Sequence, residues 1–175
     1  IRSVLVVGGG TSGWISAAVL ARLLDPATTR ITLVESDEIG IVGVGEATIP
    51  QMATFNRMLG IDEDEFLRAT KGSFKLGIQF QNWGQIGEEY MHAFGQIGQS
   101  LGLLEFAQYW LRGRAEGVAG RLWDYSLNEM TARQDRFARL NQIPNTKLEG
   151  LTYAVHFDAS LYARYLRKIA ERAGV

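Results

Sequence analysis

Val4-Leu5-Val6-Val7-Gly8-Gly9-Gly10-Thr11-Ser12-Gly13-Trp14 is the stretch that decides the fold. Its four valine-rich apolar residues read as a strand buried on both faces. Gly8, Gly10 and Gly13 follow at G-x-G-x-x-G spacing, and an alanine-rich helical run from Trp14 to Leu24 comes next. In such a turn Gly8 permits the sharp bend, Gly10 lets backbone approach a pyrophosphate, and Gly13 lets helix and strand pack closely. The N–H groups and positive dipole end of the helix, with Thr11 and Ser12 in its first turn, then face the phosphates. Glu35 closes a second strand, Ile31-Thr32-Leu33-Val34-Glu35, about 20 residues past Gly13, where an acid meets a ribose 2′-hydroxyl. The alternative is a glycine-rich βα turn that binds nothing, against which strand, helix and acid occur together. The combination implies a dinucleotide, and Glu35 disfavours a 2′-phosphate, so FAD or NAD fits better than NADP.

The rest of the composition narrows the class. A chain of 175 residues can bury a full core as one domain. Net charge is −1 and no basic run occurs, which speaks against nucleic-acid or membrane-surface partners. The chain has no cysteine, so disulfides and thiol catalysis are excluded. No apolar stretch is long enough to span a bilayer, and a cytoplasmic protein is the expectation. The chain starts at Ile1 without a methionine and ends at Ala173-Gly174-Val175, just after a helix. A dinucleotide fold needs more parallel strands than can be found here, so a fragment of a larger enzyme is expected.

Along the chain, Asp25-Pro26 should stop the first helix near Leu24. Gly40 to Pro50 carries three further glycines among small apolar residues, which suits either close approach to a ligand or an ordinary loop. Pro50 can open a helix ending before Gly60. Asp62 and Glu65 have the spacing of an N-cap and its partner for a helix through Ala69. Ser73 to Trp83 alternates like one strand, with Phe74, Leu76, Ile78 and Phe80 on one face. Lys75 and Gly77 fall on the other, where Gly77 would leave open space and Lys75 reads as a solvated edge residue. His92 and Phe94, two apart on an extended segment, would point the same way and make either two pocket walls or a core contact. Leu103–Gly113 and Leu122–Ile143 read as helical, and Pro144–Gly150 as turns. Asp158 is a plausible N-cap for a final helix with Leu161, Tyr165, Leu166 and Ile169 as its apolar stripe. His156 fits a ligand or base, or a packed histidine beside that helix start.

Two histidines without H-x-x-x-H spacing make a metal site improbable. No G-x-S-x-G elbow occurs, and the glycine loop lacks the G-K-[ST] ending of a triphosphate loop. Cofactor chemistry is what survives.

Four segments occur together in the order of one family: Gly8 to Trp14; Gly43-Val44-Gly45-Glu46-Ala47-Thr48-Ile49-Pro50; the Phe74-Lys75 strand leading to Asn82-Trp83; and Tyr153 to Leu166 around His156-Phe157-Asp158-Ala159. Over essentially its whole length the chain resembles the N-terminal third of the flavin-dependent tryptophan halogenases. The resemblance implies an α/β, Rossmann-like FAD-binding fold of the monooxygenase/halogenase type, incomplete here, with residues 1–175 forming the N-terminal part of a single FAD-binding domain. It implies that FADH2 from a separate flavin reductase, with molecular oxygen, converts chloride or bromide to hypohalous acid. That oxidant then travels to a lysine, matched by Lys75, which directs it at an aromatic small molecule. Either capturing or orienting the halogen calls for a desolvated lysine, which displaces the solvated-edge reading.

By the same resemblance Glu46 and Ala47 run past the flavin, and His92 and Phe94 sandwich the aromatic substrate. Ala93 stands where proline or serine is expected, and the segment between Trp83 and His92 is short. A more open site follows, suited to indole or another electron-rich aromatic as much as to free tryptophan. The family's tryptophan-rich motif and the glutamate paired with its lysine belong downstream of residue 175. A homodimer is an assembly left open. The competing expectations are an aromatic monooxygenase of related fold, which needs no halogen-carrying lysine, and a non-catalytic FAD-binding protein.

Overall fold

The computed structural model describes residues 1–40, 47–146 and 148–175. The chain divides into two units, Ile1–Ser73 with Val155–Val175, and Phe74–Ala154.

The first unit begins as a βαβ motif. Strand β1 (Ser3–Val7) runs into helix α1 (Thr11–Leu23), which returns to strand β2 (Arg30–Val34). The two strands pair in parallel from Ser3↔Arg30 to Val7↔Val34. Gly8 takes φ +114°, a conformation that side chains with a Cβ rarely adopt, and its N–H donates to Val34 O at 2.8 Å. Gly13 is needed for a different reason: a Cβ there would lie 1.9 Å from the carbonyl oxygen of Gly8. Leu24 ends α1 as expected.

One expectation for β1 needs correction. Val4 and Val6 are half-buried, but Leu5 and Val7 are 63% and 79% exposed. Burial on both faces requires cover on both faces, and among the described residues the core lies on one side only, against α1.

Helix α2 (Gln51–Met58) follows Pro50, and α3 (Glu63–Thr70) is capped by Asp62, whose side chain accepts from the Glu65 N–H at 2.9 Å. The final helix, α6 (Ala159–Arg172), is capped in the same way by Asp158 on Leu161 N–H at 3.0 Å. That N–H is the main reason the Asp158 carboxyl sits below the usual carboxylate range. Helix α6 packs against α1 and α3. Tyr162, Leu166 and Ala170 are its fully buried row, while the predicted Leu161, Tyr165 and Ile169 flank it half-buried. Phe66, Phe157 and Tyr162 meet edge-on or tilted, with ring centroids 4.9–5.6 Å apart. The Tyr162 hydroxyl donates to Asn56 Oδ1 at 2.8 Å, which satisfies the polar tip of a ring with no solvent access.

The second unit contains an antiparallel hairpin, β4 (Gly77–Gln81) and β5 (Glu89–Ala93), registered from Gly77↔Ala93 to Gln81↔Glu89. Asn82 and Gly87 supply the positive φ values of its turn. The single strand expected from Ser73 to Trp83 is therefore two pieces, β3 (Ser73–Lys75) and β4, broken at Leu76. The space expected at Gly77 is filled, because a Cβ would meet the backbone of His92 and Ala93 at 2.6 and 2.7 Å. Helix α4 covers Phe106–Ala115, starting three residues later than expected. Between 122 and 143 only a 3-10 turn (Leu122–Tyr125) and the short α5 (Leu127–Ala132) are helical. The helix stops at Ala132, and Asp135 in the turn that follows adopts φ +52°, which rules out helical continuation. The last strand, β6 (Ala154–His156), leads into α6.

Candidate functional site

The glycine loop makes a cradle in the first unit. Helix α1 starts at Gly10 with no side chain capping it, and its first intrahelical bond runs from Trp14 N–H to Gly10 O at 3.1 Å. The amides of Thr11, Ser12 and Gly13 thus lack intrahelical partners, and the dipole adds partial positive charge there. Beyond Gly10 a Cβ would meet nothing within 4 Å, so the backbone stands open to a ligand. A cavity of about 290 Å³ begins here, lined by Gly8, Gly9, Gly10, Glu35 and, from α6, Arg164 and Arg167. That volume is at the small end for ligand pockets (roughly 300–1,000 Å³), suiting the adenosine-phosphate half of a dinucleotide. The residues present therefore fit the expected group.

Glu35 enters that cavity in a defined pose. Its Oε2 accepts from Trp14 Nε1 at 3.2 Å and its Oε1 from Arg167 Nη1 at 2.7 Å. Thr11 is turned from the loop toward α6, its hydroxyl donating to Ala159 O at 3.4 Å, and Ser12 is exposed.

Ala47 is bridged to His156, and the Thr48 hydroxyl donates to Val155 O at 2.8 Å. These contacts hold Ala47 beside Lys71, Ser73, Phe157 and the capping Asp158 around an open cleft. His156 is exposed rather than packed. Glu46, and with it Gly43 to Gly45, lies outside the described residues.

In the second unit Lys75 is buried, at 8% exposure, which overturns the solvated strand edge read from the alternation pattern. Its Nζ lies 5.4 Å from the centre of the Phe94 ring, within cation–π range. The backbone enforces this proximity. Phe94 N–H donates to Leu76 O at 2.8 Å, so the residue after the lysine is tied to the aromatic residue. Buried Asn128 donates from Nδ2 to the same carbonyl at 3.1 Å and to Thr152 O, while its Oδ1 accepts from Thr152 N–H at 3.3 Å. His92 stays on β5 opposite Ile78 with an exposed side chain, whereas Phe94 lies against Lys75.

Comparison with known proteins then decides the family. The tryptophan halogenase family model matches residues 3–175. The chain belongs to the tryptophan halogenase family. Among curated members, tryptophan 7-halogenase KtzQ of Kutzneria sp. (strain 744) is 36% identical over 185 residues, covering 97% of this chain and 34% of that protein. Among solved structures, Xcc4156, a flavin-dependent halogenase from Xanthomonas campestris, is 48% identical with a TM-score of 0.89. BrvH, a flavin-dependent halogenase from Brevundimonas sp. BAL3, is 41% identical, also with a TM-score of 0.89. Each structure is matched over 34% of its length, by 100% and 99% of this chain. The chain thus spans about a third of the halogenases it resembles, and it shares their Rossmann-like fold.

Sequence reasoning missed several residues within this halogenase fold. Arg164 and Arg167 reach the cradle from α6, more than 120 positions from the glycine loop. Their only sequence signal was the cluster of basic residues along α6. Asn128 carried no signal at all. Replacing Asn128 with Ala would remove the donor shared by Leu76 O and Thr152 O and the acceptor of Thr152 N–H; Leu76 O keeps Phe94 N–H, while the part-buried Thr152 backbone loses both bonds to this side chain. The expected cost is about 2–3 kcal/mol, read as a lowered urea midpoint at unchanged m-value. Among the described residues, no three His, Asp or Glu side chains are grouped to hold a metal ion, and no helix is long and apolar enough to cross a membrane.

Proposed function

We propose that this chain is the cofactor-holding N-terminal part of a halogenase that acts on an electron-rich aromatic such as indole or tryptophan, using FADH2, molecular oxygen and chloride or bromide. The observation that carries the proposal is Lys75: a buried amine held 5.4 Å from an aromatic ring, on the Phe74-Lys75 strand of a halogenase-family chain. Reduced FAD, when bound, supplies with oxygen the two-electron oxidation of halide to hypohalous acid.

The chain's own residues divide the remaining work. Gly8, Gly10 and Gly13 shape the loop, and the first-turn amides at Thr11 and Ser12 face the phosphates. Glu35 would accept from a ribose hydroxyl, and Ala47 would border the flavin ring. Lys75 acts in one of two ways. As a neutral amine it takes the halogen of hypohalous acid, forming an N–halogen bond as its proton leaves with the hydroxyl as water. As an ammonium it donates a hydrogen bond that orients the acid and withdraws electrons from the halogen. The aromatic carbon then attacks the halogen, and the proton it loses is matched by one taken up by the departing nitrogen in the first case, or by the departing hydroxide as water in the second, so the side chain is returned unchanged. Phe94 forms one wall for the substrate, with His92 closing the other.

The test uses the full-length enzyme with FAD, a separate flavin reductase, oxygen and bromide or chloride, offered indole and tryptophan. Mass spectrometry should show product heavier by one halogen in place of hydrogen. Hydroxylated product alone would instead assign a monooxygenase, and tight FAD binding without turnover of any aromatic a non-catalytic flavoprotein.

A further inference from the structure

Glu35, the acid that the dinucleotide turn requires, is held by two groups far from it in the chain. Arg167 Nη1 donates to Glu35 Oε1 at 2.7 Å across 132 positions, and Trp14 Nε1 donates to Oε2 at 3.2 Å. Arg167 is itself fixed on a second side, where its Nε donates to Glu171 Oε1 at 2.7 Å, one helical turn further along α6. Its guanidinium also lies 5.5 Å from the Trp14 ring centre. Glu171 first and Glu35 among the lesser causes keep the Arg167 guanidinium even more firmly protonated than usual. The loop leaves room for this arrangement, because a Cβ on Gly9 would lie 1.6 Å from Glu35 Oε2.

A glutamate at the end of a strand normally samples several rotamers, and each must be given up when a ribose binds. Here both carboxylate oxygens already have a fixed donor, and each oxygen keeps a further lone pair. We infer that Arg167 is a positioning residue for dinucleotide binding: it acts through Glu35, holding that carboxylate over Gly9 so that its remaining lone pairs face the ribose hydroxyls. Trp14 supports it through the hydrogen bond to Oε2. The surface ion pair adds little to folding because both partners are partly exposed. Its effect lies in preorganisation, which lowers the entropic cost of cofactor capture.

The inference rests on the flavin reading above, and the experiment separates the two. It is a double-mutant cycle in the full-length enzyme, with FAD affinity read by flavin fluorescence and the melting temperature of each flavin-free variant recorded. Arg167→Met and Glu35→Gln should each weaken FAD binding roughly tenfold, and the double variant also roughly tenfold rather than hundredfold. Melting temperatures should agree within a few degrees. Unchanged FAD affinity in Arg167→Met overturns the inference. So does a double variant whose losses multiply to about a hundredfold, since Arg167 would then act on the cofactor directly or through the general stability of α6. Should Arg167→Met fail to fold, Arg167→Lys carries the same cycle, because it keeps the charge but cannot bridge Glu35 and Glu171 together. A wild-type enzyme that binds no FAD overturns the flavin reading itself.

Discussion

Replacing Lys75 with Ala in the full-length enzyme is expected to lower halogenation of indole or tryptophan by about a thousandfold, within the range for losing a positioned proton-transfer group. FAD affinity should not change, because Lys75 is not among the residues that line the glycine cradle. The comparison to make is halogenated product per FADH2 supplied, by mass spectrometry, against the flavin dissociation constant. Halogenation at the wild-type rate would remove the role assigned to Lys75. The side chain is buried at 8% exposure, so truncation also removes packing against Phe94. Lys75→Met keeps the stem without the amine and serves as the folding control. Lys75→Arg distinguishes the two roles of the amine. A guanidinium keeps a positive charge and N–H donors but is not deprotonated, so it can orient hypohalous acid and cannot capture its halogen.

The second large effect is expected at Gly13. A Cβ there would come within 1.9 Å of Gly8 O and 3.0 Å of Gly8 C, both backbone atoms held by the Gly8 N–H bond to Val34. Nothing flexible can move aside, so Gly13→Ala must push α1 away from the end of β1. Overpacking of this kind costs about 3 kcal/mol, and separation of the loop from the helix should weaken FAD binding by at least about a hundredfold. Gly10→Ala is the informative contrast. It has φ −70° and nothing within 4 Å of its added Cβ, so folding should change by less than about 0.5 kcal/mol. Its FAD affinity should still fall, because the new methyl occupies the space that a pyrophosphate would approach. Urea denaturation and flavin titration of both variants check the pair. If Gly13→Ala matches the wild type in both, the close packing seen between helix and strand is not required.

Several features were determined by sequence alone because their causes are local. The βαβ turn follows from the φ +114° that Gly8 adopts and from the contact that Gly13 avoids. The starts of α3 and α6 follow from Asp62 and Asp158, whose carboxylates reach N–H groups three residues on. The family was legible for a related reason: its motifs are short, contiguous and ordered.

Tertiary structure decided the rest. Alternation placed Lys75 and Leu76 on opposite faces, but a period of two says nothing about which face is covered, and both are buried. Valine-rich composition suggested two-sided burial for β1, whereas cover on each face depends on distant elements. The expected helix from Leu122 to Ile143 is broken after Tyr125 and ends early at Ala132, three residues before Asp135 turns left-handed against a helix-like composition. The pose of Glu35 depends on Arg167, and the carbonyl of Leu76, next to Lys75, on Phe94 and Asn128. Pairs so far apart in the chain leave no periodicity to read. Sequence thus specified a βαβ glycine turn and singled out an acid, Glu35, and a lysine, Lys75. Only the folded chain brought donors to that acid and enclosed that lysine beside an aromatic ring, because burial and long-range hydrogen bonds exist only once separate segments meet.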